Sequence, residues 1–343
     1  MSLKILIIGP SWVGDMIMSQ SLYRLLKQQD PHCQIDVLAP KWCLDVVKRM
    51  PEVSNSIVMP IAHGKFALKH RYQLGKQLRA AGYDQAIVLA NSWKSALIPW
   101  LAKIPKRTGW LGELRYGLLN DYRKLDKTCY PLMVQRFTAL GYQANHHWNI
   151  NTYLLPKLLT DESSITQTLQ TVNINKPDGY VLALAPGAAF GSAKRWPVDY
   201  FAAVANHYLT QGWQVWLMGS PDDQPVLNQI QQCTQNRSVI FSGNATLDAK
   251  IDLLSLATVV ISNDSGLLHV AAALNRPTIG IYGSTTPDFT PPLGEKVQIL
   301  QVIGLDCRPC FKRDCPLSGD RLLKCLKDIT PTQMLAAIER VRA

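Results

Sequence analysis

Three stretches of this 343-residue chain carry residue types and spacings that could do chemistry. The first, Gly9-Pro10-Ser11-Trp12-Val13-Gly14-Asp15, leaves an apolar run and enters a helical pattern. Its amides and the positive end of that helix therefore gather at one point. Gly9 and Gly14 have the spacing of a phosphate-binding loop, but Asp15-Met16 follow where Lys-Ser/Thr would reach a phosphate and hold Mg²⁺. The three-glycine dinucleotide fingerprint is missing as well. What remains is a carboxylate set by a tight turn. Asp15 would repel a phosphate, which points to a general base; as a first-turn residue it would equally complement the helix dipole. On the residues alone both readings stand.

The second stretch, Ala185-Pro186-Gly187-Ala188-Ala189-Phe190-Gly191-Ser192-Ala193-Lys194-Arg195-Trp196-Pro197, combines small residues that let backbone approach a ligand with two adjacent cations. Lys194 or Arg195 could neutralise a pyrophosphate; a solvated pair in a loop is the competing view. The third, Asn263-Asp264-Ser265-Gly266-Leu267-Leu268-His269, opens a helix, so Ser265, Gly266 and the next amides form a second anion-binding start. Asp264 could simply cap that helix, and His269 could be a satisfied, half-buried histidine. Two such loops in one half favour a nucleotide diphosphate over either loop alone. Cys307, Cys310, Cys315 and Cys325 fall as C-x₂-C-x₄-C-x₉-C, the local spacing of a four-thiolate metal site or of reduced cysteines packed in one segment. Cys33, Cys43, Cys129 and Cys233 stand singly in helix or strand patterns and are expected in the core. His146-His147 reads as a loop pair.

Positioning these loops requires a particular set of elements. Apolar runs at 4–8, 35–38 and 85–89 alternate with amphipathic stretches at 16–29, 41–49 and 68–81. After a polar stretch at 172–179 the alternation restarts, with strands at 180–184, 214–218, 259–261 and 278–281. Helices are expected at 198–211, 226–233, 247–257 and 266–273. Fully apolar strands separated by helices indicate parallel βαβ units with both sheet faces covered. The predicted fold class is α/β: two Rossmann-like, doubly wound parallel-sheet domains facing a central cleft, with ligands at the carboxyl ends of strands. The first domain spans 1–175 and the second 176–330. Thr330-Pro331-Thr332-Gln333 starts a last helix over 331–343, expected to pack back toward the first domain.

Composition narrows the partners. Hydrophobic residues make up 47% and charged residues 18%, a globular balance that excludes disorder. The apolar run at 5–8 stops at Gly9-Pro10, too short for a signal-peptide core, and no apolar stretch approaches the roughly 18 residues of a bilayer span. The expectation is a soluble cytoplasmic chain with reduced thiols that touches a membrane only from outside. Lys and Arg number 36 against 25 Asp and Glu, a net +11. Residues 1–175 hold 21 of the basic and 11 of the acidic residues, so nearly all the excess lies in the first half. Lys65, Lys69, Arg71, Lys76 and Arg79 surround one helix there. A polyanionic partner is implied; no nucleic-acid motif accompanies the charge, so nucleic acid is not expected.

Gly14-Asp15 after the first strand, Lys194-Arg195-Trp196-Pro197 and the 263–269 motif together resemble the bacterial ADP-heptose:lipopolysaccharide heptosyltransferases, over nearly the whole chain. The Pro10-Ser11 start of the first loop and Cys307-Arg308-Pro309-Cys310-Phe311-Lys312-Arg313 are closer to the type II branch, which extends an existing heptose, than to type I. The resemblance implies a GT-B fold and an inverting glycosyltransferase that needs no metal and no other cofactor, ADP-heptose being a substrate. It implies Asp15 as the base and Lys194 as holder of the pyrophosphate. Gly187, Asp264, Ser265, Gly266, Leu267 and His269 would line the donor pocket, with a ribose-binding acid near Asp222-Asp223. Ser11, Trp12, Gly14, Lys65, Lys69 and Arg71 would lie on the acceptor side. The partners implied are ADP-L-glycero-D-manno-heptose and heptosyl-Kdo₂-lipid A, met at the cytoplasmic face of a Gram-negative inner membrane. Alternatives are a relative with a different acceptor, type I included, a nucleotide-sugar epimerase of like architecture, or a non-catalytic nucleotide-sugar binder.

Overall fold

The computed structural model describes residues 2–62, 64–144, 149 and 152–342; His146 and His147 lie outside them. The contacts divide the chain into two compact units, 1–158 and 159–343.

In the first unit the order is β1 (Lys4–Ile8), α1 (Val13–Gln29), β2 (Gln34–Pro40), α2 (Leu44–Lys48), β3 (Asn55–Met59) and α3 (Leu68–Arg79). There follow β4 (Gln85–Val88), α4 (Trp93–Leu101), β5 (Lys106–Trp110), β6 (Asp121–Arg123) and α5 (Met133–Ala139). The strands form one parallel sheet in the order β3-β2-β1-β4-β5-β6. Central strands such as Lys-Ile-Leu-Ile-Ile are buried on both faces because helices cover both, and a core of Leu6, Ile8, Leu38, Val88 and Ile98 fills one side.

The second unit begins with α6 (Glu162–Thr171), then β7 (Val181–Ala185), α7 (Val198–Thr210), β8 (Gln214–Met218), α8 (Gln224–Cys233) and β9 (Val239–Phe241). It continues with α9 (Leu247–Leu254), β10 (Val259–Asn263), α10 (Gly266–Ala273), β11 (Thr278–Tyr282), β12 (Val297–Gln301), α11 (Lys324–Lys327) and α12 (Pro331–Arg342). Its parallel sheet runs β12-β11-β10-β7-β8-β9. Read from the other edge this is the strand order of the first sheet. Both sheets therefore reverse direction beside their first strand, at β1/β4 and at β7/β10, where open α/β sheets bind ligands.

Two expectations about the domains need correction. The divide falls at 158/159 rather than after 175, because α6 buries Ile165 and Leu169 against α9, and the Asp161 amide donates to Asp252 at 2.8 Å. The terminal helix is part of the second unit. Met334, Ala337 and Ile338 join the core made by α7 and the β10–β11 strands, and the Trp196 indole donates to the Ile329 carbonyl at 2.8 Å. With these bounds the first unit holds 21 basic and 9 acidic residues, and the second 15 and 16.

Candidate active site

In the first unit the candidate residues leave β1. Gly9 donates its amide to the Leu38 carbonyl at 2.9 Å, and a Cβ there would stand 2.8 Å from Met16 Cε and 3.2 Å from that carbonyl. A side chain at this position would have to displace the Met16 tip and crowd the Leu38 carbonyl. The helix starts at Val13, three residues earlier than expected, with Trp12 as its N-cap and no side-chain cap. Asp15 is thus an acidic first-turn residue, half-buried, at the carboxyl edge of the sheet. The dipole reading and the base reading are both compatible with that place. Ser11 presents its carbonyl to the Trp42 indole at 2.8 Å and to the Cys43 thiol at 3.6 Å. Burial, then the neighbouring Asp15 carboxylate, pushes the Cys43 thiol up to about 12, so it stays protonated. Trp12 is 55% exposed.

Among the acceptor-side cations the structure separates two kinds. Lys65 and Lys69 are exposed beside α3. Arg71 is not: its guanidinium is buried and donates to the carbonyls of Phe66 at 2.7 Å, Lys94 at 2.8 Å and Lys65 at 3.3 Å. Its planar fork matches three backbone acceptors, so it braces loops instead of facing a substrate.

In the second unit the two loops meet at the β7/β10 reversal. Lys194 lies in a short 3₁₀ turn after β7, and its ammonium is 2.5 Å from Asp264 Oδ2 at the end of β10. Thr285, after β11, donates to the same oxygen at 2.7 Å. Both charged side chains are largely out of water, 13% and 9% exposed. Asp264 therefore aims Lys194 at the start of α10, whose Ser265 N-cap makes no side-chain cap bond. The ammonium is thus held against Asp264, the residue just before the α10 N-cap, and a cation beside a helix start is suited to an anion. Arg195 turns the other way, 3.8 Å from Asp223. Of the adjacent cations, Lys194 is the one at the helix start.

Gly187 packs on Asp223: a Cβ would fall 2.3 Å from its carboxylate. Asp223 is buried, while Asp222 is exposed, and it accepts from the Ser220 amide at 2.9 Å and hydroxyl at 2.7 Å. It is the member of the expected pair that faces the loop. Ser265 Oγ lies 3.0 Å from Ser262 Oγ. His269 is fully buried, with Nδ1 unpartnered, and burial pushes it down to about 4 despite Asp264 nearby, so the ring is neutral.

Two residues had no role in the sequence reading, Asn263 although it opens the third stretch and Thr285 because it lies outside all three. Asn263, wholly buried, donates to the Pro186 carbonyl at 2.7 Å and accepts from the Trp196 amide at 3.1 Å, which clamps both ends of the loop carrying Lys194. Its signal was a polar residue ending an apolar central strand. Thr285 had the same strand-end signal in Gly283-Ser284-Thr285-Thr286. The segment of four cysteines braces the loop from outside: Arg313 offers its carbonyl to the Ala193 amide at 2.9 Å, and Ser192 donates to Asp314 at 2.7 Å. Burial and the nearby Cys307, Cys310 and Cys315 push the Cys325 thiol up to about 11. Among the described residues no three His, Cys, Asp or Glu side chains are arranged to hold a metal ion. Cys33 and Cys43 are in the core as expected, whereas Cys129 and Cys233 are exposed.

The sequence profile of glycosyltransferase family 9 (heptosyltransferase) matches residues 71–319. Lipopolysaccharide heptosyltransferase 2 of Escherichia coli K12 is 45% identical over 88% of both chains. Lipooligosaccharide heptosyltransferase 2 of Haemophilus ducreyi is 46% identical over 99% of this chain and all of its own. The solved structure of E. coli ADP-heptose lps heptosyltransferase II superposes with a TM-score of 0.87 at 41% identity, over 99% of this chain and 98% of that one.

Proposed function

The chain belongs to glycosyltransferase family 9, the heptosyltransferases, and from that premise we propose that it is the enzyme that adds the second inner-core heptose. In this reading it moves L-glycero-D-manno-heptose from ADP-heptose onto the first heptose of heptosyl-Kdo₂-lipid A, at the cytoplasmic face of the inner membrane. No helix among the described residues is long and apolar enough to cross a membrane, which suits contact from outside. The observation that carries the donor half is the Lys194–Asp264 pair at the start of α10, on the β7/β10 reversal.

Inversion needs one in-line displacement at the anomeric carbon. Asp15 takes the proton of the acceptor hydroxyl as its oxygen bonds to that carbon. The bond to the ADP oxygen breaks and its electron pair leaves with the phosphate, through an oxocarbenium-like transition state. Lys194 and the α10 amides stabilise the charge that builds on the departing diphosphate. These fixed donors take the place of a divalent cation, in keeping with a chain that has no Asp-x-Asp motif. Lys65 and Lys69 serve the phosphorylated acceptor. His269 is buried and neutral near the ion pair, so it adds no charge there.

The test is purified protein with ADP-heptose and either Kdo₂-lipid A or heptosyl-Kdo₂-lipid A, followed by product mass, with and without EDTA. Heptosylation of the second acceptor alone, unchanged by EDTA, is expected. Transfer to Kdo₂-lipid A would reassign the acceptor, and loss in EDTA that Mg²⁺ restores would overturn the metal-free mechanism.

A further inference from the structure

One rim of the first unit carries large apolar side chains in water. Phe66 and Leu68 follow β3, Trp93 follows β4, and Leu114 and Tyr116 follow β5, with Leu114 82% exposed. These three loops are tied into one surface. Arg71 bonds the carbonyls of Phe66 and Lys94, Lys94 donates to the Gly64 carbonyl at 3.2 Å, and the Phe66 and Trp93 rings stand 5.2 Å apart. The Trp93 amide then donates to Glu113 at 2.9 Å, and the buried Arg115 guanidinium donates to the carbonyls of Ala90 and Trp110. Glu113 and Leu114 both sit at positive φ, 44° and 52°. Left-handed backbone costs an ordinary side chain about 1 kcal/mol or more, and the buried Arg115 bonds hold it in place. Leu114 thus stands in water on a turn anchored by the adjacent buried Arg115.

We infer that this rim is a membrane-docking surface whose partner is an anionic phospholipid bilayer. Exposed apolar and aromatic residues beside lysines are the composition of an interfacial anchor: rings and aliphatic tips enter the headgroup boundary while cations stay at the anionic surface. Lys65 and Lys69 flank the rim, and the unit has 21 basic against 9 acidic residues. That charge is complementary to a negative leaflet. The inference rests on the reading above only in that a lipid-anchored acceptor is met at a bilayer.

The experiment is co-sedimentation of the full chain with acceptor-free vesicles, either phosphatidylcholine alone or with about a third phosphatidylglycerol. A Leu68→Asp/Leu114→Asp variant is compared with the parent. Aspartate suits both places, the first turn of a helix and a left-handed backbone position, so the variant should keep its melting temperature. Expected is binding to anionic vesicles that weakens in high salt, and a partition about tenfold or more lower in the variant. The variant should turn over a deacylated, water-soluble acceptor like the parent, yet fail on the same acceptor embedded in vesicles. Equal sedimentation of variant and parent would overturn the inference, as would an equal loss on the deacylated acceptor, which would put the rim inside the acceptor site. Sedimentation needs no transfer. A parent that binds vesicles but transfers nothing would refute the proposed reaction and leave the docking surface standing.

Discussion

Replacing Lys194 by methionine removes the cation from Asp264 while keeping the length of the side chain. The partner carboxylate is 9% exposed, and it also accepts from the Thr285 hydroxyl at 2.7 Å. Breaking a buried ion pair from one side typically costs about 3–5 kcal/mol, because the remaining charge stays out of water. Lys194→Met should therefore lose about that much in urea denaturation. Adding Asp264→Asn removes the stranded charge but leaves an oxygen for Thr285, so the double variant should recover to within about 1 kcal/mol of the parent. Binding should not recover. A charge-assisted hydrogen bond contributes about 1.5–3 kcal/mol, so calorimetric titration with ADP should show affinity about 10–150-fold weaker in the double variant. A double variant that is stable and binds ADP as the parent does would refute the assignment of Lys194 to the diphosphate. A single variant as stable as the parent would refute the view of the pair as desolvated.

Asp15→Asn should fold normally and lose transfer by about a hundredfold or more, as removal of a general base does; near-normal turnover at saturating acceptor would remove it from the mechanism. Gly187→Ala puts a methyl 2.3 Å from the Asp223 carboxylate, which must give up its bonds to Ser220, and a loss of about 1–3 kcal/mol should lower the melting temperature. Unchanged melting would mean the loop yields instead. His269 titrates near 4 when folded against 6.5 when free. Between those values the unfolded chain takes a proton the folded one refuses, so stability falls as pH drops through the window, by about 3 kcal/mol in all. His269→Gln should flatten denaturation midpoints between pH 7 and 4; an unchanged slope would contradict a neutral buried ring.

The central architecture was legible because its signals are local. Strands such as Val-Leu-Ala-Leu-Ala must be buried on both faces, and the strand-end rule then located the loops holding Asp15, Lys194 and Asp264. Five strands escaped: β6 and β9, since three residues carry no period, and β3, β5 and β12, since polar and half-exposed residues break up their apolar runs. The polar stretch at 172–179 looked like a linker, but α6 just before it already spends its apolar face on the second core. Arg71 shows the limit most clearly. A sequence counts it as a cation, and only the fold reveals three carbonyls within reach of its fork. The Lys194–Asp264 pairing joins residues 70 apart, which no local pattern could announce.

Two sheets of the same strand order, each closed over its own apolar core, also bear on inheritance. A substitution that unsettles Leu6 or Ile98 draws on one reserve of stability, and one that unsettles Leu184 or Ile338 draws on another. Under the proposed division of labour, the half that chooses the acceptor can accumulate change, and be tried against new acceptors, without eroding the margin that keeps the donor half folded.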